Sequence, residues 1–154
     1  MRCIYAQPAC ARSHESRLMT DRRILIADDD PVITTMLSGA LAHRGYESVI
    51  AADAMQAVMF AVQKLPDAIV LDINMPAGTG HVALKRLKAS ARTASIPVIV
   101  LSGSMDATLP ATVRAEGAIA FFRKPVDLDA LFAQIEELLA RPPVDEHASP
   151  HVAR

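Results

Sequence analysis

The sequence has no tryptophan, only two cysteines and almost no excess of charge of either sign. Cys3 and Cys10 both lie in the first ten residues, and no CxxC pair or Cys/His cluster exists. This argues against a structural zinc site and against a disulfide framework, so we expect reduced thiols and a cytoplasmic protein. Sixteen Lys and Arg residues against seventeen Asp and Glu argue against a dedicated nucleic-acid binder, which would show a basic excess.

Long apolar runs are absent as well. Runs such as residues 98–101 are far shorter than the about 20 residues that a membrane-spanning helix needs. Residues 1–18 contain no apolar segment typical of a signal peptide. With 154 residues, 51% of them hydrophobic and 21% charged, the chain is expected to form one soluble globular domain.

Hydrophobic periodicity begins only after residue 20. Residues 1–20 mix charged, polar and small side chains without a period of 2 or 3.6, and we interpret them as an unstructured N-terminal extension. Residues 21–141 are interpreted as one folded domain. Residues 142–154 carry no packing signal and are interpreted as a flexible C-terminal tail.

Short apolar runs alternate with amphipathic segments along the folded part of the chain. A helix is predicted from Pro31, with Asp30 as its N-cap, to a stop at Gly45, and the last helix is predicted to begin after a cap at Asp127. The other predicted elements are strands at residues 24–27, 46–51, 68–71, 98–101 and 118–122, helices at 54–65 and 80–91, and a loop with a short helix near Pro110 at 102–117. Five strands that alternate with five helices predict an α/β fold, a doubly wound parallel sheet covered on both faces.

Polar side chains stand where four of the predicted strands end. They are Asp28, Asp29 and Asp30 after the first strand, Asp72 after the third, Ser102 after the fourth and Lys124 after the fifth. In doubly wound sheets, ligands bind outside these carboxyl ends. A nucleotide site would need a glycine-rich loop after the first strand. Three carboxylates instead repel a phosphate without metal, and they favour a hard cation such as Mg²⁺.

Each of these groups, taken alone, is explained as well by a local role. Asp30 is better explained as a helix cap than as a metal ligand, and Asp72 with Asn74 could form only an Asx turn. Solvated turns, a further cap or an exposed charge would account for the others. Their joint occurrence at four strand ends nevertheless favours a shared site. Carboxylates this close are expected to raise one another's pKa, a shift that a bound cation would reverse.

Four stretches of the chain together resemble a known family. They are ILIADDDP at residues 24–31, DINMP at 72–76, PVIVLSG at 97–103 and FRKP at 122–125. In this order and spacing, over residues 22–140, the chain resembles the receiver domain of two-component response regulators. The resemblance implies a flavodoxin-like (βα)5 fold with a five-stranded parallel sheet in the strand order 2-1-3-4-5.

The resemblance also implies roles for the residues that match family motifs. Asp28 and Asp29 match the acidic pair that holds Mg²⁺, and Asp72 matches the aspartate that contacts the metal and accepts the phosphoryl group. The backbone carbonyl of Asn74 is expected to complete the metal site. Lys124 matches the lysine that pairs with the phosphoryl oxygens.

Two further positions match the switch of the family. Ser102 matches the hydroxyl that turns toward the phosphoryl group, and Phe121 matches the aromatic residue that fills the space left behind. Because phenylalanine lacks the hydroxyl of tyrosine, its inward and outward states would differ by packing alone. The resemblance further implies a cis Lys124–Pro125 peptide bond, an isomer that is uncommon in general.

The implied function is that of a phosphoacceptor in a two-component or phosphorelay pathway. The expected donor is a phosphohistidine on a sensor histidine kinase or a histidine phosphotransfer protein. A changed surface on the fourth helix, fifth strand and fifth helix is expected to contact an unknown protein target or a second copy of the chain. No direct binding of nucleic acid or membrane, and no output domain after residue 141, is expected. The protein is not expected to be an enzyme beyond catalysing its own phosphorylation and dephosphorylation.

Two other functions remain open from the residues alone. A degenerate receiver would bind a partner protein without being phosphorylated, although the complete set of site residues argues against it. A Mg²⁺-dependent phosphatase of the haloacid-dehalogenase type also uses a nucleophilic aspartate. That class requires a second carboxylate two residues after the nucleophile, where this chain has Asn74.

Residues 19–23 look like an ordinary receiver N-terminus, so residues 1–18 are expected to be either disordered or not translated, and both Met1 and Met19 stay open as the native start. We predict that a chain beginning at Met19 keeps its free energy of unfolding within about 0.5 kcal/mol of the chain beginning at Met1. Thermal unfolding of the two chains tests this. A melting temperature several degrees lower for the shorter chain would contradict the prediction.

Overall fold

The computed structural model describes residues 22–75 and 80–140. The strands are β1 (Arg23–Ala27), β2 (Glu47–Ala51), β3 (Ala68–Asp72), β4 (Val98–Ser102) and β5 (Ala120–Arg123). The helices are α1 (Pro31–His43), α2 (Ala54–Lys64), α3 (Gly80–Ala89), α4 (Leu109–Ala115) and α5 (Leu128–Ala140). The strands form one parallel sheet in the order β2-β1-β3-β4-β5, which confirms the predicted fold and strand order.

The proposed N-terminal extension at residues 1–20 and the proposed tail at 142–154 lie outside the described residues, as does the alternative start at Met19. Among the helices of residues 22–75 and 80–140, none is both long and apolar enough to cross a lipid bilayer.

The central strands β3 and β4 are buried at every position because helices cover both faces of the sheet. Successive side chains of a strand point to opposite faces, so the sheet separates two cores. Leu25 and Ala27 pack with residues of α2, α3 and α4, whereas Ile24 and Ile26 pack with residues of α1 and α5. Each fully buried aliphatic side chain stabilises the fold by roughly 1.5–3 kcal/mol. The strand ends at the carboxyl edge of the sheet are therefore fixed by helices packed on both faces.

The helix ends follow the predicted local chemistry. The Asp30 side chain accepts a hydrogen bond from the Val32 N–H (2.9 Å) and caps α1, and Gly45 after the helix has φ +84°, a conformation that favours glycine. The side chain of Asp127 accepts from the N–H groups of Asp129 and Ala130 at the start of α5. These caps confirm the predicted starts of the first and last helices.

Two elements, α3 and β5, differ from the prediction by two residues at one end, whereas β1, β2, α2, β3 and β4 each differ by one residue at one end. Helix α3 ends two residues earlier than expected, because the buried Thr93 hydroxyl donates to the Leu87 carbonyl (2.7 Å) and binds one of the carbonyls at the helix end. Strand β5 begins two residues later and ends one residue later than expected. Its shift follows from the Ala118 N–H, which donates to the Val113 carbonyl (2.9 Å) and still belongs to the end of α4.

Gly80, the first residue of α3, lies against the end of β3. A Cβ atom at this position would lie 2.5 Å from the Asp72 carbonyl oxygen and 2.5 Å from Ile73 Cα. Both atoms belong to the backbone and cannot move aside as a flexible side chain would. The absence of a side chain at Gly80 therefore permits α3 to pack beside the strand that ends at Asp72.

We predict that Gly80→Ala lowers the free energy of unfolding by about 1–3 kcal/mol, as expected for overpacking against a rigid backbone. Gly39→Ala in α1 is the matched control, because a Cβ there meets nothing within 4 Å. That change is expected to stabilise the protein by about 0.5–1 kcal/mol through helix propensity. Urea unfolding of both variants provides the comparison, and equal effects of the two changes would show that close packing at Gly80 is unimportant.

Candidate functional site

Three carboxylates converge at the carboxyl edge of the sheet. One oxygen atom from each of Asp28, Asp29 and Asp72 lies within 4.8 Å of the other two. Asp28 and Asp72 are only 2% and 3% exposed, whereas Asp29 is open to solvent. Hard oxygen donors of this number and kind are the ligands that Mg²⁺ prefers. The donor set therefore fits the cation expected from the sequence.

Asp28 is held by backbone hydrogen bonds on both sides. Its N–H donates to the Ala51 carbonyl (3.1 Å), which extends the pairing of β1 with β2 by one residue. Its Oδ1 atom accepts from the Asp30 N–H (2.9 Å). Asp30 itself caps α1, so its local explanation is confirmed. The turn after β1 thus directs the Asp28 carboxylate into the site and the Asp30 carboxylate onto the helix.

Lys124 joins two of the carboxylates. Its Nζ atom lies 2.7 Å from Asp28 Oδ2 and 3.2 Å from Asp72 Oδ2. The residue follows β5, where its N–H donates to the Ser102 carbonyl (2.9 Å), and the Lys124–Pro125 peptide bond is cis as predicted. The lysine side chain is 20% exposed. The interpretation of Lys124 as a merely exposed charge is therefore wrong.

Burial and an excess of negative charge both affect protonation in the site. Burial raises the pKa of Asp28, and the charge of Asp72 adds to the rise, while hydrogen bonds from Lys124 and from the Asp30 amide oppose it. Burial alone would lower the pKa of Lys124, but the hydrogen bond to Asp28 and the charges of Asp72 and Asp28 outweigh it and raise the pKa. For Asp28, desolvation is thus a larger cause than the expected repulsion between carboxylates.

Asp72 combines a local turn with its place in the site. Its Oδ1 atom accepts from the Asn74 N–H (3.0 Å), which is the Asx turn that the sequence left open. Its Oδ2 atom faces Lys124. The local hydrogen bond therefore orients the carboxylate, and the two explanations of Asp72 are compatible.

The Ser102 hydroxyl is fully buried and lies between two loops. Its Oγ atom accepts from the side-chain Nδ2 of Asn74 (3.1 Å) and from the Ser104 N–H (3.0 Å). The role expected for Asn74 concerned its backbone carbonyl, and that role stays a prediction. The contact that the structure adds is made by the Asn74 side chain. It connects the loop after β3 directly to the hydroxyl at the end of β4.

Phe121 lies in β5 opposite Val100 of β4. It is half-buried and packs against the core that α2, α3 and α4 cover, whereas Phe122 packs against the core of α1 and α5. This position is compatible with the switch role expected for Phe121, which stays a prediction.

Two sets of side-chain contacts between elements were not predicted. Arg123 reaches from β5 to the loop that follows β4, and His81 Nδ1 lies 2.6 Å from Glu116 Oε2, which joins the start of α3 to the end of α4. The sequence did indicate Arg123, because this basic residue directly precedes Lys124. For His81 and Glu116, 35 residues apart, the sequence carried no such signal.

Comparison with known proteins gives a consistent result. The family model for the response regulator receiver domain matches residues 24–136. The DNA-binding dual master transcriptional regulator RpaA of Synechocystis is 36% identical over 119 residues, which are 77% of this chain and 49% of RpaA. Protein PilH of Pseudomonas aeruginosa is 34% identical over 118 residues, 77% of this chain and 98% of PilH. The chain thus spans about half the length of RpaA and nearly all of PilH.

Solved structures with the same fold include receiver domains. A response regulator receiver domain protein described as CheY-like, from Methanospirillum hungatei, is 28% identical with a TM-score of 0.72, and covers 77% of this chain and 94% of its own. The receiver domain of sensor histidine kinase PA1611 from Pseudomonas aeruginosa, solved with a magnesium ion coordinated in its active-site cleft, is 24% identical with a TM-score of 0.72. It covers 79% of this chain and 99% of its own, and this likeness concerns the fold.

We predict that Lys124→Met lowers the free energy of unfolding of the metal-free protein by about 2–4 kcal/mol. The change leaves two buried carboxylates without their ammonium partner, which is costlier than the loss of an exposed charge. Mg²⁺ should recover more of the stability in the variant than in the wild-type protein, since the cation then replaces the positive charge that Lys124 places between Asp28 and Asp72. Urea unfolding with EDTA and with Mg²⁺ measures both effects.

Lys64→Met is the control for this prediction, because Lys64 is exposed and its side chain makes no ion pair among the described residues. A loss of less than about 0.5 kcal/mol is expected there. If Lys124→Met were equally mild, the pairing of Lys124 with the carboxylates would contribute little to the fold.

Proposed function

This chain belongs to the response regulator receiver domain family, and from that premise we propose that it accepts a phosphoryl group on Asp72 in the presence of Mg²⁺. The donor is a phosphohistidine of a sensor histidine kinase or a histidine phosphotransfer protein. The observation that carries the proposal is the position of Asp72 itself. Its buried carboxylate faces the Lys124 ammonium group at 3.2 Å and shares an oxygen cluster with Asp28 and Asp29.

The reaction joins two anions, so positive charge must be present where they meet. An oxygen of the Asp72 carboxylate forms a bond to phosphorus as the bond from phosphorus to the donor imidazole nitrogen breaks, and the nitrogen keeps the electron pair. The raised pKa of Lys124 keeps its ammonium group charged at neutral pH. This group pairs with the oxygens of the transferred phosphoryl group. Asp28, Asp29, Asp72 and the Asn74 carbonyl would hold Mg²⁺, which would supply the positive charge needed to neutralise both reacting anions.

The transferred group changes the balance of hydrogen bonds at Ser102. A phosphoaspartate brings about −1.5 to −2 charges and new acceptor oxygens to the end of β3. The Ser102 hydroxyl, which accepts from Asn74 and Ser104 in the structure, then donates to a phosphoryl oxygen. The space behind the hydroxyl admits Phe121, and the surface of α4, β5 and α5 changes with it. A target protein or a second copy of the chain binds this changed surface.

The proposal treats the protein as a signalling component rather than an enzyme with an external substrate. DNA binding belongs to RpaA by its description, and this chain spans only about half of that protein. We therefore assign no DNA-binding activity to the chain. The phosphatase alternative lacks its second carboxylate at Asn74, where only an amide side chain is present.

Acetyl phosphate with Mg²⁺ provides the direct test. We predict that mass spectrometry detects one added phosphoryl group, labile to hydroxylamine as an acyl phosphate is, and that it maps to Asp72. Asp72→Asn should abolish labelling while the protein remains folded. Asp29→Asn should abolish labelling together with Mg²⁺ binding, whereas Lys124→Ala should keep Mg²⁺ binding and impair labelling, because its role is toward the phosphoryl group.

Asp53→Asn serves as a control, because the Asp53 side chain caps α2 and is not part of the oxygen cluster of Asp28, Asp29 and Asp72. It should be labelled as fully as the wild-type protein. A phosphoryl group on any residue other than Asp72 would contradict the assignment. No labelling of the wild-type protein at all would favour the degenerate receiver, which binds partners without phosphorylation.

A further inference from the structure

The loop between β4 and α4 is held in place from the neighbouring strand β5. The guanidinium group of Arg123 donates from Nη1 to the Ser104 carbonyl (3.2 Å) and from Nη2 to the Asp106 carbonyl (3.4 Å). Nη1 also lies 3.6 Å from the sulfur of Met105. Three successive residues of the loop therefore contact one planar cation.

The same loop controls the hydrogen bonding of Ser102. The Ser104 N–H donates to Ser102 Oγ (3.0 Å), and the Ser104 carbonyl accepts from Arg123. Further along, the Asp106 carboxylate accepts from the N–H and the hydroxyl of Thr108, directly before α4. The loop thus has the Ser102 hydroxyl at one end and the start of α4 at the other, and Arg123 holds its middle.

We propose that Arg123 is a positioning residue that keeps this loop, residues 103–106, in the arrangement in which Ser104 donates to Ser102, and so opposes the turn of the Ser102 hydroxyl toward Asp72. The proposal rests on the proposed function. The hydroxyl must leave its present partners to reach a phosphoryl oxygen. The hydrogen bond from the Ser104 N–H to Ser102 Oγ can break or shift only if the loop moves. Arg123 therefore sets the fraction of molecules that are ready to switch.

The direction of the change in anion affinity at Asp72 distinguishes the release of the loop from a loss of positive charge. Removing a positive charge next to Lys124 should weaken the binding of an anion at Asp72 if charge alone matters. Releasing the loop should instead strengthen binding, because the apparent dissociation constant falls as the competent fraction rises. The contacts of Arg123 are exposed and two of them are long, so a shift of about three- to tenfold is expected.

The test uses beryllofluoride as the phosphoryl mimic in the presence of Mg²⁺. Arg123→Met keeps the length of the side chain and removes its donors, and it should lower the dissociation constant of beryllofluoride by about fivefold. Arg123→Lys keeps the positive charge but lacks the planar guanidinium group. Its dissociation constant for beryllofluoride should lie between those of the wild-type protein and Arg123→Met. Arg86→Met in α3 removes the same charge from an exposed side chain without an ion pair among the described residues, and it should leave the constant unchanged.

A double-mutant cycle shows whether Arg123 acts through Ser102. In a Ser102→Ala background there is no hydroxyl to hold, so Arg123→Met should change the beryllofluoride affinity by less than about 1.5-fold. The same increase in both backgrounds would overturn the proposal, because the effect would not pass through the hydroxyl. Unchanged or weakened binding in the single variant Arg123→Met would also overturn it.

Amide hydrogen exchange without any ligand separates this proposal from the proposed function. Arg123→Met should speed exchange of the Ser104 N–H several-fold relative to Arg86→Met, since that N–H is bonded only while the loop is held. If Arg123→Met speeds exchange at Ser104 but the protein does not bind beryllofluoride, the contact between Arg123 and the loop is confirmed. The proposed function, and the role of Arg123 inferred from it, would then be overturned. Unchanged exchange at Ser104 would overturn the role of Arg123 alone.

Discussion

The ammonium group of Lys124 has two carboxylate partners that come from different strands. Asp28 follows β1, Asp72 ends β3, and the lysine itself follows β5, so the ion pairs form only when the sheet is complete and in register. Burying two carboxylates is costly unless opposite charge lies nearby. The carboxyl edge of the sheet is therefore a place where the fold requires charge balance, and a change in charge at Asp72 affects both Lys124 and the carboxylate of Asp28.

The three consecutive aspartates after β1 have three different environments. Asp28 is buried beside Lys124, Asp29 is open to solvent within the oxygen cluster, and Asp30 caps α1. A chain that leaves a strand and enters a helix turns its successive side chains in different directions, which explains how neighbours of one chemical type serve separate purposes. The choice between cap and ligand was predictable for Asp30, because Pro31 marks the helix start. The depth of Asp28 was not, since burial depends on what the rest of the fold places above it.

The doubly wound fold and the residues at its strand ends could be predicted because their signals are local or periodic, whereas the strand order 2-1-3-4-5 came from the family resemblance. Apolar runs such as residues 68–71 predict buried strands, and the polar residue that ends each strand then falls at one edge of the sheet. Contacts between distant side chains carry no such signal. The amide of Asn74 meets the hydroxyl of Ser102 across 28 residues of sequence, and Arg123 meets the carbonyl of Ser104 across 19. Side-chain conformation and the exact path of a loop decide these contacts, and neither is encoded in spacing.

Phe121 and Phe122 are adjacent in the chain but belong to opposite sides of the sheet. A change in the packing of the first ring would therefore act directly on the layer of α2, α3 and α4, and would reach α5 only through the backbone of β5. The two layers share the backbone of β5 but few side-chain neighbours. A substitution at Phe121 therefore affects the packing of one layer, and a substitution at Phe122 affects the packing of the other. Two adjacent positions of one strand thus answer to two separate cores, so the side chain at either position can change in size without a compensating change at the other.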